Sequence, residues 1–412
     1  MKKVVVVGAG AAGCMAAISA SKNGSKVILL EKNNMIGKKI RITGKGRCNI
    51  TNSGDIEDIM NNIYKNRNFM YSSLYTYTNE NLMRDLQDNG LEIKVERGNR
   101  VFPKSDKAID VVIALEKMMS KEKVEIRYNS IVKELIIKND ESKDKKYISG
   151  VVLKNGERIY CDSVIVATGG KSYPKTGANG DGYKILSKVG HKITDIKPAL
   201  VGMEVEEEIK DSMVGLLLKN IGFKLYQSET LVYEDFGELE YRKYGIDGAT
   251  VKSASCHYDI RKKGYIAVID LKPALSKEKL DNRIQRDFKS NMNSRFEVVL
   301  KGLLPMVLVE EVSKRCKIPL DKTIHQITRE ERYRLIDVLK NFSYRITSLR
   351  SIDEAIITDG GVELKEINPS TMESKLIEGL YIAGEILDVE GYTGGYNLQI
   401  AFSTGYLAGM NV

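Results

Sequence analysis

The stretch VVVVGAGAAG at residues 4–13 constrains the fold more than any other part of the chain. A β-branched run leads into Gly8, Gly10 and Gly13 in GxGxxG spacing, and a helix-forming run follows. This order predicts a strand, a tight turn and a helix N-terminus, the arrangement that holds a dinucleotide pyrophosphate. Gly8 permits the turn, Gly10 lets the phosphates approach the backbone, and Gly13 lets the helix pack closely on the strand.

An acidic residue at the end of the next strand narrows the choice of dinucleotide. The apolar run at 26–30 ends at Glu31, 18 positions after Gly13. A carboxylate there can accept hydrogen bonds from both hydroxyls of an adenosine ribose. It would repel a 2'-phosphate, so the pattern favours FAD or NAD over NADP.

Residues 163–170, SVIVATGG, are the first of two later segments that distinguish FAD from NAD. They predict a strand ending in three small residues, Ala167, Thr168 and Gly169. At such a crossing the backbone can pass close to a bound dinucleotide.

Residues 380–399, LYIAGEILDVEGYTGGYNLQ, are the second segment. They predict a strand ending at Gly384 and Glu385, followed by a helix that opens at Gly394 and Gly395. The helix N-terminus could direct N–H groups at a flavin pyrimidine, and Glu385 could accept from a ribityl hydroxyl. Each segment alone could be an ordinary buried strand and glycine turn, but their order after the first motif favours FAD.

Four longer motifs carry a resemblance to a known family. They are IGKKIRITGKGRCNITN (36–52), RVFPKSDKAIDVV (100–112), GGKSYPKTGANGDGY (169–183) and MESKLIEGLYIAGEILDVEGYTGGYNLQIAFSTGYLAG (372–409). On these motifs the chain resembles the BaiN-like family of NAD(P)/FAD-dependent oxidoreductases. The resemblance implies a glutathione-reductase-type FAD domain, split in sequence around an inserted domain. The family includes members that reduce 3-oxo bile-acid intermediates and members that oxidise aminoacetone, so it implies the cofactor more firmly than the substrate.

The domain organisation follows from the pattern and this resemblance. We expect an α/β protein whose Rossmann-like FAD-binding domain comprises residues 1–194 and 351–412. Short strands predict a β-rich subdomain over 195–272, and apolar residues at helical spacing predict a mainly helical subdomain over 273–350. These helices could form a lid over the flavin or simply complete a core.

The GKGRCN loop completes the predicted cofactor site. Lys39 and Arg47 would lie beside the pyrophosphate, although Lys39 could equally be a solvated surface cation. The resemblance implies that the backbone of Val132 contacts the adenine. The residues expected to contact FAD are Gly8, Gly10, Ala11, Ala12, Gly13, Glu31, Lys32, Lys39, Thr43, Gly44, Arg47, Cys48, Asn49, Val132, Ala167, Thr168, Gly169, Gly384, Glu385, Gly395, Asn397 and Leu398.

Candidates for catalysis are fewer. Cys48, Tyr396 and Asn397 are expected near the flavin ring, while the three histidines lie in separate regions and form no acid–base group. Five scattered cysteines without a CxxC pair suggest neither a redox disulfide nor a metal site. Where the family carries a T-H-x-G-x-S-G-P type segment, this chain has Arg242 to Ala249, RKYGIDGA, which puts any borrowed substrate in doubt.

The composition of the chain indicates its cellular location and limits the kinds of partner that it binds. The 412 residues include five cysteines and no apolar run of transmembrane length, which predicts a cytoplasmic enzyme without membrane insertion. The net charge of +9 is spread along the chain, so nucleic acid is an unlikely partner in this interpretation. The oligomeric state stays open.

The predicted function is hydride transfer through flavin N5 on a small organic substrate, in a pocket between the FAD domain and the middle domain. NAD(P)H would act as a transient donor, because the nearest candidate for a second dinucleotide site, 177–182, has the wrong spacing and follows no apolar strand. Two alternatives remain open: a peroxide-producing amine oxidase of the aminoacetone oxidase type, and a flavin-dependent RNA-modifying or nucleic-acid-binding protein.

Overall fold

The computed structural model describes residues 1–140 and 145–412. These residues form two compact units. The first unit comprises Met1–Ala199 and Ser351–Val412, and the second comprises Leu200–Arg350.

The helices and strands of the described residues are numbered in chain order. The helices are α1 (Ala11–Lys22), α2 (Ile56–Asn61), α3 (Tyr71–Thr76), α4 (Asn79–Asp88), α5 (Ala108–Lys121), α6 (Asp181–Lys188), α7 (Ala249–Ser255), α8 (Lys277–Ser290), α9 (Phe296–Leu303), α10 (Met306–Cys316), α11 (Arg329–Lys340) and α12 (Tyr396–Asn411). The strands are β1 (Lys3–Val7), β2 (Lys26–Leu30), β3 (Thr51–Asn52), β4 (Ile63–Lys65), β5 (Ile93–Glu96), β6 (Arg100–Pro103), β7 (Glu125–Arg127), β8 (Val132–Asp140), β9 (Lys145–Leu153), β10 (Arg158–Tyr160), β11 (Ser163–Val166), β12 (Lys197–Ala199), β13 (Met203–Val205), β14 (Leu217–Gln227), β15 (Thr230–Arg242), β16 (Gly245–Asp247), β17 (Tyr265–Asp270), β18 (Phe342–Leu349), β19 (Ile357–Asp359), β20 (Leu380–Ile382) and β21 (Glu390–Gly391). Within the described ranges, no helix has both the length and the apolar character needed to cross a bilayer.

A parallel sheet is the centre of the first unit. Its strand order is β20-β11-β1-β2-β7, and Val5 of β1 pairs with Ile28 on one side and Val164 on the other. The continuous apolar run of β1 suits a strand that is buried on both faces. Helices α1 and α12 pack together through small side chains, and Ser19 donates a hydrogen bond to the Tyr406 carbonyl at 2.8 Å. This arrangement confirms the α/β Rossmann-type fold class.

An antiparallel sheet of order β10-β9-β8 is attached to the first unit. Its β9–β10 connection contains the Asn155-Gly156 turn, where the Asn155 side chain accepts from the Glu157 N–H at 2.9 Å. Three smaller sheets, β3-β6-β5, β12-β19 and β21-β4, complete the unit.

The second unit is built on a closed barrel of six strands. The order is β13-β16-β15-β14-β17-β18, and every neighbouring pair is antiparallel. Strand β18 closes the barrel by pairing with both β13 and β17. Strand β18 follows helices α8–α11 in the chain. The strand that closes the barrel thus comes after the helices in the chain, and the barrel and these helices belong to the same second unit. Inside the barrel, the buried hydroxyls of Tyr241 and Tyr344 lie 3.3 Å apart.

Candidate functional site

The first part of the candidate site is the turn between β1 and α1. A Cβ at Gly13 would collide with the Gly8 carbonyl oxygen, so only glycine allows the helix to pack this closely on the turn. Gly10 caps α1 without a side-chain hydrogen bond, and a Cβ placed there would meet no atom within 4 Å. The space beside Gly10 is therefore open and no side chain caps the first N–H groups of α1, which suits an anion-binding helix N-terminus.

Glu31 holds this turn to the end of β2. It is only 6% exposed, and its Oε2 accepts from the Ala9 N–H at 2.8 Å. Its Oε1 accepts from the backbone and the side-chain amide of Asn33 at 2.8 and 2.6 Å. A carboxylate has about four acceptor positions, so a ribose could still bind. The ribose contact of Glu31 stays a prediction that this geometry supports.

Lys39 and Glu385 form an ion pair with each other. The Lys39 ammonium lies 2.6 Å from Glu385 Oε2 and donates to Ser172 Oγ at 2.7 Å, while Glu385 Oε1 accepts from the Thr358 N–H at 3.0 Å. The sequence predicts both residues as cofactor contacts but not their pairing. A ribityl hydroxyl that binds Glu385 would share this carboxylate with Lys39.

The other two predicted cations also have protein partners. Arg47 binds the carboxylates of Glu96 and Asp106 and stacks on Phe102, with its guanidinium carbon 4.2 Å from the ring centroid. Lys32 lies 3.1 Å from Asp181 and donates to Asn179 at 2.8 Å. Their charges are therefore partly neutralised, and a phosphate contact by either one stays a prediction.

Two predicted cofactor residues carry buried polar atoms without partners. Thr168 Oγ1 and Asn49 Oδ1 are shielded from solvent and have no hydrogen-bond partner among the described residues. A buried polar atom without a partner costs about 1–3 kcal/mol, which is why such atoms are rare in folded proteins. A ligand bound next to these two atoms would supply the hydrogen-bond partners that they lack.

The turn before α12 forms another wall of the candidate site. Gly395 has φ of 101°, and a Cβ there would collide with the backbone of Thr51. Helix α12 begins without a side-chain cap, which leaves its first N–H groups for a ligand. The contact expected between this helix N-terminus and a flavin pyrimidine stays a prediction.

The candidate catalytic residues support this wall by hydrogen bonds. Asn397 Nδ2 donates to the Gly391 carbonyl at 2.6 Å, and its Oδ1 accepts from the Gly391 N–H at 2.9 Å. Tyr396 OH accepts from Asn52 Nδ2 at 3.2 Å. Burial raises the pKa of Tyr396, and it raises the pKa of the fully buried Cys48 thiol to about 12. Both groups are therefore neutral at physiological pH, and a catalytic role for any of the three stays a prediction.

The remaining predicted contacts lie on the same unit. The Ala167 N–H donates to the Val7 carbonyl at 2.9 Å, and a Cβ at Gly384 would lie 2.6 Å from the Ala12 Cβ. Val132 is buried at the start of β8. The others are Ala11, in the first turn of α1, Thr43 and Gly44, in the short helical turns at Ile40–Gly46, Gly169, after β11, and the partly buried Leu398, in α12.

A buried charge cluster was not predicted from the sequence. Lys65 lies 2.5 Å from both Asp359 Oδ1 and Asp388 Oδ1, and 3.7 Å from Glu390 Oε2. The three carboxylates offer oxygens within 4.8 Å of one another, and the Glu390 side chain also accepts from the Gly360 N–H at 2.8 Å. The acidic pair in Asp388-Val-Glu390 was a signal, but nothing in the sequence connects it to Lys65.

The segment Arg242 to Ala249, for which the sequence predicts a departure from the family pattern, belongs to the second unit and includes β16 of its barrel. Tyr244 OH donates to Asp247 Oδ2 at 3.0 Å, and Lys252 forms an ion pair with the same carboxylate. Arg350 stacks on Tyr244 with its guanidinium carbon 4.5 Å from the ring centroid. Residues of this segment thus form a polar network with Lys252 and Arg350.

Comparisons with known proteins agree with this architecture. The family model described as the HI0933-like protein Rossmann domain matches residues 2–411. The 3-dehydro-bile acid delta(4,6)-reductase of Clostridium scindens is 31% identical over 99% of this chain and 98% of its own length. The ribosomal RNA dihydrouridine synthase of Haemophilus influenzae is 28% identical over 99% of this chain and 98% of its own length.

A solved structure shares the fold at lower sequence similarity. The 3-ketosteroid delta1-dehydrogenase from Sterolibacterium denitrificans aligns with a TM-score of 0.53 and 14% identity, covering 99% of both chains. The family match spans nearly the whole chain and includes every segment of the candidate site. The chain therefore belongs to the HI0933-like family of Rossmann-fold proteins, the BaiN-like flavoprotein oxidoreductases.

Proposed function

We propose that this protein is an FAD-dependent reductase that adds a hydride and a proton across a carbon–carbon double bond conjugated to a carbonyl group. The observation that carries the proposal is the full-length similarity to two relatives with different names. A delta(4,6)-reductase of a 3-dehydro bile acid and a dihydrouridine synthase both saturate such a bond. The chemistry is what these relatives share, and the substrate is what separates them.

The residues of the first unit fit FAD. The open N-terminus of α1 would hold the pyrophosphate, Glu31 the adenosine ribose, Glu385 the ribityl chain, and the N-terminus of α12 the pyrimidine. The flavin, when bound, supplies hydride chemistry at N5. The partnerless Thr168 Oγ1 and Asn49 Oδ1 would then gain ligand partners.

The electron donor is proposed to be NAD(P)H that binds transiently. No second GxGxxG turn follows a strand elsewhere in the sequence, so a dedicated nicotinamide site has no support. Reduction should therefore saturate only at high NAD(P)H concentration.

Two substrate classes merit testing. A small molecule with an enone, such as a 3-oxo-4-ene steroid, is the first candidate, because the relative named for bile-acid reduction is 31% identical. A uridine in ribosomal RNA is the second, because the dihydrouridine synthase matches over the same length and the chain has a net charge of +9.

One set of measurements tests the proposal. The purified protein should release FAD on denaturation, and its anaerobic spectrum should bleach with NADH or NADPH. The reduced enzyme is then mixed with a 3-oxo-4-ene steroid or with ribosomal RNA transcripts, and mass spectrometry records a gain of two hydrogens. Peroxide formation with an amine substrate, and no reoxidation by either conjugated substrate, would instead support the amine oxidase alternative.

A further inference from the structure

The charge of the second unit is divided between two parts of its sequence. Residues 200–260 contain 6 Lys and Arg against 12 Asp and Glu, whereas residues 261–350 contain 21 against 11. The latter span therefore has a net charge of +10, one more than the whole chain. The positive charge, which is dispersed over the chain as a whole, is therefore concentrated in this part of the second unit.

Helix α8 places several of these cations on one outward face. Lys279, Arg283 and Arg286 follow one another at four and three positions, and Lys289 lies one turn further on, so they form a stripe roughly 15 Å long. The apolar Leu280 and Ile284 are fully buried on the opposite side. We call this set of four cations the α8 stripe.

Most of the α8 stripe lacks counter-charges. Lys279, Arg286 and Lys289 are exposed and have no ion-pair partner among the described residues, and Arg283 makes one long contact with Asp287 at 3.6 Å. Two other cations of this unit have close partners, since Lys210 lies 2.7 Å from Glu310 and Lys224 lies 3.2 Å from Glu234. An uncompensated row of cations is a complement to a phosphate backbone.

We infer that the α8 stripe binds the phosphate backbone of an RNA. The inference rests on the second substrate candidate of the proposed function and adds the surface that would hold that substrate. An anionic membrane is the less suitable partner, because membrane-binding helices turn apolar residues toward the lipid. The exposed side of α8 carries Asn282, Gln285 and one carboxylate, Glu278, beside its cations, and its apolar Leu280 and Ile284 face the core.

The test uses the full-length holoenzyme and a short fluorescein-labelled RNA hairpin, with binding followed by anisotropy over a salt series. Each phosphate contact contributes about 0.9 to the slope of log K against log salt, so losing two should weaken binding about 60-fold near 0.1 M salt. We expect this loss for Arg286→Gln with Lys289→Gln. The matched control, Lys210→Gln with Lys224→Gln, removes the same charge from paired positions and should change binding less than about three-fold, since exposed ion pairs make small contributions.

The other outcomes overturn the inference. Equal losses in the two double variants would show that net charge, not this face, governs binding. If the wild type does not bind RNA, the inference that the α8 stripe binds RNA is wrong. The same holds if the stripe binds phosphatidylserine vesicles instead of RNA. Binding needs no turnover, so FAD content and reduction of a 3-oxo-4-ene steroid, measured on the same preparations, report separately on the proposed function. Unchanged circular dichroism and FAD content in both variants exclude misfolding.

Discussion

Glu390 should make the stability of this protein depend on pH. Its side chain is 1% exposed and shares Lys65 with two aspartates. Burial, the largest cause, and the neighbouring Asp359 and Asp388 carboxylates raise the pKa of Glu390 from 4.5 to about 9, while Lys65 opposes the shift. The native state therefore holds a proton on this group more tightly than the unfolded chain does.

The sign and the size follow by linkage. Because the folded pKa is the higher one, the stabilising contribution is complete below pH 4.5 and is lost as the pH rises through about 9. Each pKa unit is worth about 1.4 kcal/mol, so three pH units between ~5.5 and ~8.5 correspond to a loss on the order of 4 kcal/mol. Lys65 stays charged throughout this window, because its own pKa is raised.

The assay compares wild type with Glu390→Gln by urea unfolding, followed by circular dichroism at several pH values. The amide keeps the shape of the side chain and an acceptor for the Gly360 N–H but carries no titrating proton. The variant should lose little stability across the window, so its difference from wild type should change by about the amount given above. Glu92→Gln, at an exposed residue paired with Lys104, is the control and should run parallel to wild type. Parallel curves for Glu390→Gln as well would refute the reasoning.

Three further predictions concern the first unit, which carries the predicted FAD contacts. Gly10→Val should lower the FAD content of the purified protein at least about ten-fold, measured by flavin absorbance, because a branched side chain would fill the phosphate approach. Cys48→Ala should leave the pH profile of flavin reduction unchanged from ~6 to ~9, since the thiol is already neutral there; a lost pH limb would contradict this. Replacing residues 200–350 by a short glycine-serine linker should keep FAD bound but abolish turnover. A short linker can join the two ends, because Ala199 pairs with Ile357 close to the junction. A folded product without bound flavin would contradict this prediction.

The sequence predicts the elements of the first unit well, because the residue patterns that predict its strands, turns and helices are local. The alternation of an apolar run, spaced glycines and a helix-forming run predicts β1, the turn and α1, and the structure has all three. The Asn155-Gly156 pair is a typical hairpin turn in the sequence, and it joins β9 to β10. Glycine positions and apolar runs constrain the backbone within a few residues, so no distant contact is needed to predict them.

Side-chain pairings between distant parts of the chain could not be predicted in this way. Lys39 and Glu385 are 346 positions apart, so the sequence predicts a cofactor contact for each of them but not the ion pair between them. Lys65 meets Asp359 and Asp388 only because β4 pairs with β21 and the β19 end lies beside it. Strand β18 lies within the span 273–350 that the sequence predicts as mainly helical. It could not be predicted for the same reason, since its partners β13 and β17 lie before four helices in the sequence.

The division of the chain explains how one family can include relatives with such different names. Every predicted FAD contact lies in Met1–Ala199 or Ser351–Val412, so the second unit can change without removing a cofactor contact. The segment Arg242 to Ala249, where the sequence predicts a departure from the family pattern, falls in the second unit, where Tyr244, Asp247 and Lys252 form a polar network. The α8 stripe lies in the same unit. If substrate choice resides there, exchanging residues 200–350 with those of a relative should change the substrate while the flavin spectrum stays the same; a spectrum that changed with the exchange would argue against separate roles for the two units.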